Sequence, residues 1–217
     1  MEQERTRILR KALHLFFKKG FSRVTTQDIA SSLGISKKTL YRHFSSKREI
    51  ALEALSENLE GIGGRLDRLF ENRELDFGTR FVTFMSLVNR QIRSIGDLFI
   101  EDIHRSLPEA WEMIDTFRRE RVFAFLRRLL LEGRERGFVR EELSVEELVF
   151  LITGFINQVL VPDKLVDAGF SLQQVFSTII ELLYGGILTR EGYEEVSGKG
   201  KRVKMEDLDG GNTLFIH

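Results

Sequence analysis

In the stretch TTQDIASSLGISKKTLYRHFSSKREI, residues 25–50, the side chains of Lys37, Lys38, Tyr41 and Arg42 share one side of a short helical pattern. Their chemistry is recognition rather than turnover. A lysine ammonium is a point charge for phosphate and also reaches O6 and N7 of guanine, while Thr39 offers a base edge a hydroxyl or a methyl. Arg42 lies one turn beyond Lys38, within reach of a base or a phosphate. Thr26 and Gln27 open the preceding segment, where free backbone N–H groups and a positive helix end favour an anion. Catalytic chemistry finds little support. Glu101 and His104 have the E-x-x-H spacing of di-iron bundles, but those sites need two copies, and the other histidines (14, 43 and 217) supply no second. There is no cysteine to act as a nucleophile or a thiolate ligand. The glycines of Gly61-x-Gly63-Gly64 lie inside a helical pattern, not after a strand, so they form no nucleotide-binding loop. The sequence predicts no enzyme, no metal site and no cofactor.

The elements that position these side chains can be read from local signals. Thr25 stands at an N-cap with Asp28 three residues later, and Val24 and Ile29 fall at the staple positions around it. Ile29, Ala30 and Leu33 give this short helix its apolar face. Gly34 ends it, since glycine enters the left-handed region without strain. Ile35 forms the corner, Ser36 caps the next helix, and Leu40 with Phe44 turns inward. Ser46 and Glu49 make an S-x-x-E box that starts a long helix at Lys47. Two short helices joined by a tight turn, the second with a basic outer face, have the layout of a helix-turn-helix whose second helix enters a DNA major groove.

Charge is distributed in the same sense. The 217 residues hold 33 basic and 33 acidic side chains, yet residues 1–50 carry 12 Lys/Arg against 4 Asp/Glu. The remainder carries the opposite excess, so a basic head is joined to an acidic body, which suits phosphate binding at one end. Two prolines, Pro108 and Pro162, favour long helices, and 18 phenylalanines provide core material. The charged N-terminus predicts no signal peptide, and apolar runs such as 148–155 are too short to span a bilayer. A cytoplasmic protein without membrane contact is expected, as the lack of cysteine also favours.

Residues 5–55 resemble the DNA-binding head of the TetR family of bacterial transcriptional regulators. The resemblance is carried by Ala12, Phe16, Gly20, Phe21, Thr25, Asp28, Ile29, Ala30, Gly34, Ile35, Ser36, Leu40, Tyr41, His43, Phe44 and Lys47, and most specifically by TLYRHFSSK. It implies an all-α homodimer of about nine helices per chain, with an N-terminal three-helix head (1–50) and a ligand-binding and dimerisation body (51–191); the glycines and mixed charges of 192–217 predict a flexible tail. It also implies that Tyr41, His43 and Lys47 grip phosphates. In the body, the family pattern puts the dimer interface on helices predicted over 145–161 and 172–188. Phe150, Leu151, Gly154, Gln158, Val175, Phe176, Ile179 and Leu183 are the interface candidates. Both helices are apolar over more than one face and need cover on two sides. Phe81, Phe84, Met85, Phe99, Ile103, Trp111, Phe117, Phe155 and Val159 belong to helices that converge in the family, so they are candidates for a ligand pocket. His104 and Asn157 would be its polar groups. Gly61, Gly63 and Gly64 serve either close helix packing or a flexible joint.

The expected function is a transcriptional regulator that binds a palindromic double-stranded operator as a dimer and is released by a small, largely apolar effector. The competing expectation is a DNA-binding protein of the same fold that has no small-molecule ligand and acts through a protein partner.

Overall fold

The computed structural model describes residues 2–159 and 169–199, without the side chains of residues 97, 158, 159, 172, 183 and 184. The elements are α1 (Glu2–Lys19), α2 (Thr26–Leu33), α3 (Lys37–His43), α4 (Lys47–Glu71), α5 (Phe77–Ser94), α6 (Asp97–Ser106), α7 (Pro108–Phe117), a π-helical turn (Arg118–Val122), α8 (Phe123–Glu135), α9 (Val145–Val159), α10 (Leu172–Ile187) and α11 (Arg190–Lys199). No strand occurs among the described residues, only an isolated antiparallel bridge between Val139 and Leu188. None of the described helices is long and apolar enough to cross a membrane.

The chain divides into two compact units. Among the described residues, one comprises 2–62 and Ser94–Thr116; the other holds Gly63–Arg93, 117–159 and 169–199. The boundary expected near residue 50 therefore falls later, inside α4. Residues 94–116, read from the sequence as body, belong with the head.

The first unit is built on α1. Ile8, Leu9, Ala12, Leu13, Phe16 and Phe17 are buried along it, one stripe at helical spacing. They meet Val24, Ile29, Ala30, Leu40, Phe44 and Ile50, all nearly inaccessible. Helix α6 docks on the other end of α1. The Gly96 N–H donates to the Phe17 carbonyl at 3.0 Å, and a Cβ at Gly96 would stand 2.8 Å from that oxygen. Only glycine allows so close an entry, and it brings the Phe99 ring edge-on to Phe17 at 4.7 Å.

The second unit has a phenylalanine core. Phe84 stacks on Phe125 at 4.8 Å, Phe70 meets Phe125 edge-on at 5.9 Å, and Phe77 lies 5.6 Å from Phe81 and 5.3 Å from Phe138. Gly63 sits in close packing, where an added Cβ would lie 3.1 Å from Arg121 and 3.5 Å from Phe117, whereas Gly61 faces open space. Close packing thus accounts for Gly63, within an unbroken α4.

Residues 192–199, read as tail from their composition, form most of α11. Val196 is buried, and a Cβ on Gly192 would stand 2.1 Å from the Phe138 carbonyl. Residues 200–217 lie outside the described residues. Helix α11 is tied down by Lys199, whose ammonium donates to Asp76 at 2.6 Å. Burial works against the charged form of Asp76. It is outweighed by Lys199 and by the Thr79 backbone and side chain, which leave the Asp76 pKa at about 2. A folded-state pKa below the unfolded value of about 3.9 stabilises the fold above that value, and the contribution is lost as pH falls toward 2. Acid titration of wild type and Asp76→Asn, followed by circular dichroism, should show wild type losing its advantage between about pH 4 and 2. A constant difference across that window would contradict the assignment.

Candidate nucleic-acid interface

Helices α2 and α3 take their shape from their own caps. Thr25 accepts from the Asp28 N–H at 3.1 Å, and the Asp28 carboxylate accepts from the Thr25 N–H at 2.8 Å. These bonds from Thr25 hold the Asp28 carboxyl below the usual carboxylate range. Gly34 closes α2 with φ 68°, its N–H directed at the Ala30 and Ser31 carbonyls. Ser36 caps α3 by accepting from the Thr39 N–H at 3.0 Å. The box at α4 is shifted by one residue from the sequence expectation. Ser46 accepts from the Glu49 N–H at 3.1 Å, but the Glu49 carboxylate receives the N–H of Ser45 at 2.6 Å.

A recognition helix of seven residues is too short to hold itself. Leu40, at 0% exposure, anchors its middle. Its C-terminal turn is clasped by α1: Arg5 donates to the His43 carbonyl at 2.7 Å, pairs with Glu53, and lies 4.3 Å over the Phe44 ring. Arg7 donates to the Leu33 carbonyl at 2.6 Å and so caps α2 from outside.

Lys37, Lys38, Tyr41 and Arg42 stand exposed on α3, and Gln27 on α2. Thr39 is half-buried, with its hydroxyl 3.0 Å from that of Ser36. The Tyr41 hydroxyl lies 3.3 Å from the hydroxyl of Thr26, so the two helices present paired hydroxyls beside the free N–H groups that open α2. Cations, hydroxyls and a helix N-terminus are thus gathered on one face, a composition suited to a phosphate backbone and the base edges beside it.

Two expected phosphate ligands are placed otherwise. The Lys47 ammonium turns into the head. It donates to the Phe21 and Val24 carbonyls at 2.9 Å each and to that of Ser22 at 3.5 Å, and it lies 4.3 Å over the Phe21 ring. The 20–24 turn leaves its carbonyls without helical partners, and Lys47 satisfies them; burial lowers its pKa. The side chain of His43 is 7% exposed, and its Nε2 donates to Glu4 at 2.9 Å. Lys47→Ala should therefore lower head stability by about 1–2 kcal/mol, read as a drop in Tm. Well below Tm, the slope of log K against log[salt] for DNA binding should be unchanged. A loss of about one unit of slope per removed ammonium would return Lys47 to the phosphates.

The sequence also missed the support beneath this face. Asp102 on α6 accepts from the Ser22 N–H and hydroxyl, each at 2.5 Å, and from Ser106 at 2.9 Å. The 20–24 turn is thus held by both Lys47 and Asp102. Nothing in the spacing of Asp102 signals this, because the contact spans eighty residues.

The pocket and interface candidates separate by unit. Phe81, Phe84 and Met85 are buried in the second unit, with Phe117 half-buried there. Phe99, Ile103, His104 and Trp111 belong to the first. Phe99 and Ile103 are committed to the core under α1, and His104 is exposed, its ring edge-on to Trp111 at 5.1 Å. Phe155, expected inside, is 50% exposed on α9. Asn157 is exposed and accepts from Arg118 at 3.1 Å. Of the interface candidates, Phe150 and Leu151 are 76% and 64% exposed, and Gly154 is open. Phe176 and Ile179 instead point into their own unit at 8% and 7%, because they lie on the inward stripe of α10; Val175 is half-buried. Leu182, not among the candidates, is 67% exposed on that helix. The side chains of Gln158, Val159 and Leu183 lie outside the described residues.

Residues 8–54 match the family model of bacterial regulatory proteins of the tetR family. An uncharacterized HTH-type transcriptional regulator of Bacillus subtilis, YvaF, is 28% identical over 85% of this chain and 96% of its own. The HTH-type transcriptional repressor KstR2 of Mycolicibacterium smegmatis is 26% identical over 87% of this chain and 92% of its own. Among solved structures, a transcriptional regulator of Saccharomonospora viridis, in complex with choline, shares the fold with a TM-score of 0.66 at 23% identity, over 88% of this chain and all of its own. With its capped α2–α3 pair and its basic outer face, the segment 8–54 is a DNA-binding head of the tetR family, and the chain is similar over most of its length to HTH-type transcriptional regulators.

Proposed function

We propose that this regulator is a homodimeric repressor that grips a palindromic operator through α3 of each chain and is released by a small, largely apolar effector. Support for the DNA contact lies in the exposed face of Lys37, Lys38, Tyr41 and Arg42, with Thr26, Gln27 and Thr39 beside it. Lys37, Lys38, Thr39 and Arg42 are assigned to base edges, with Arg42 also within reach of a phosphate. Tyr41, Thr26 and Gln27 are assigned to phosphates.

Dimerisation rests on a single observation that a monomer leaves unexplained. Phe150, Leu151, Phe155 and Leu182 form exposed apolar area on α9 and α10, both in the second unit. Large apolar side chains left in the open mark an interface, and a two-fold contact would cover both helices. Two recognition helices would then meet half-sites about 34–36 Å apart, or a multiple of that spacing.

The effector reading rests on the phenylalanine-rich second unit. Phe81, Phe84 and Met85, buried in its core, would supply the apolar contacts. The Thr83 hydroxyl beside them in sequence, 1% exposed, has no hydrogen-bond partner among the described residues and is available to a ligand's polar atom. Binding there must oppose DNA binding reciprocally.

The test is selection of bound duplexes from a random pool, followed by a screen for compounds that release them. Recovery of a palindrome and its release by an apolar compound are expected. Recovery of the palindrome with no release, together with a stable protein partner, would favour a regulator acting through protein contacts.

A further inference from the structure

Glu4 lies where an acidic side chain is unexpected, beside the basic face of the recognition helix. Its Oε2 is 2.9 Å from Nε2 of the buried His43 and 3.9 Å from Nη2 of Arg42. The Arg42 side chain is 68% exposed and that of Glu4 37%, so both charges stand at the solvent edge of the head. The His43 bond fixes where the carboxylate sits. Its neighbour Arg5 fixes the same turn through the His43 carbonyl. Hydrogen bonding from His43, with the charge of Arg42 nearby, holds the Glu4 carboxyl below its ordinary range, so it is anionic at neutral pH.

We infer that Glu4 is a specificity-determining residue: its fixed negative charge restrains Arg42 and disfavours the pairing of Arg42 with whichever phosphate lies nearest. Two effects follow from the geometry. An anion at the edge of the DNA face repels the backbone of every duplex alike, which weakens binding that relies on phosphates alone. Where the correct base pair is present, Arg42 gains a bidentate partner that outcompetes a carboxylate 3.9 Å away. The carboxylate therefore costs non-specific affinity more than specific affinity, and the ratio between them rises. This rests on α3 being the recognition helix.

Glu4→Gln tests it, because the amide oxygen still accepts from His43 while the charge is removed. Affinities of the full chain would be measured against the duplex recovered by selection and against a scrambled duplex, over a range of salt concentrations. E4Q should bind the scrambled duplex about fivefold more tightly, with a salt slope steeper by about one unit per head. Its preference for the selected duplex should fall by a similar factor. Combined with Arg42→Ala, E4Q should no longer change the preference for the selected duplex or the salt slope, leaving only a small gain, equal on both duplexes, from the removed negative charge. Equal weakening on both duplexes with a lower Tm would reduce Glu4 to a structural anchor and overturn the inference. So would unchanged binding, or a change in preference that persists without Arg42. Failure of wild type to bind any duplex at low salt would instead remove the recognition-helix assignment, and the inference with it.

Discussion

Replacing both Lys37 and Lys38 with alanine should abolish operator binding at physiological salt while leaving the fold intact. The two ammonium groups open α3, exposed, on a helix held by the Ser36 cap, buried Leu40 and the α1 clasp. None of those supports involves either lysine side chain, so Tm should change little. A good contact to a base edge contributes about 1–3 kcal/mol of discrimination, and a dimer loses two copies of each lysine. A fall of about a thousandfold or more in operator affinity follows from those magnitudes. The single variants separate the roles. A lysine that reads a base should lose sequence preference with a modest change in salt slope. One that touches phosphate should lose affinity on all duplexes alike, with a slope shallower by about one unit per contact. Operator affinity within threefold of wild type for the double variant would refute the recognition-helix assignment.

The second large effect is expected outside the recognition helix. Leu151→Asp combined with Phe155→Asp should convert a dimer to a monomer. Both side chains are at least half exposed in the single chain, so the substitutions remove little from its own core. In an isologous contact each substitution appears twice, and four carboxylates would then have to be buried together. Desolvating even one costs several kcal/mol, more than a typical interface can absorb. Sedimentation should report a monomer with helical content unchanged. Operator binding should fall to the level of a single half-site, although α9 touches no DNA in this scheme. A dimer that persists in the double variant would move the interface elsewhere.

Local chemistry explains why the head was legible. The Thr25–Asp28 box, Gly34 in the left-handed region and the Ser36 cap are all set within a few residues, and each has a sequence signature. The directions of Lys47 and His43 were not legible. A charged residue that folds back to satisfy carbonyls has the same spacing as one that faces solvent, and its partners, Phe21, Val24 and Glu4, lie 23 to 39 positions away. The membership of α6 was hidden for a related reason. Gly96 looks like an ordinary helix break, and its close approach to the Phe17 carbonyl is a tertiary fact. In α10, apolar residues on more than one face leave the inward stripe undetermined. Phe176 and Ile179 are interface candidates by spacing yet point inward, while Leu182, which is exposed, is not among the candidates.

The π-helical turn at Arg118–Val122 bears on how this chain is compared with others. A π turn holds one residue more than an α turn, so everything after it is rotated by about 100° relative to an uninterrupted helix. Phe123, Phe125, Leu126, Leu129 and Leu130 reach their core in that rotated phase. A relative lacking one residue between Phe117 and Phe123 would present the same inward stripe from a plain α-helix, with no change of fold. A single-residue gap at this point in an alignment is then a change of helical register confined to one turn, and homologous core positions on either side must be counted separately across it.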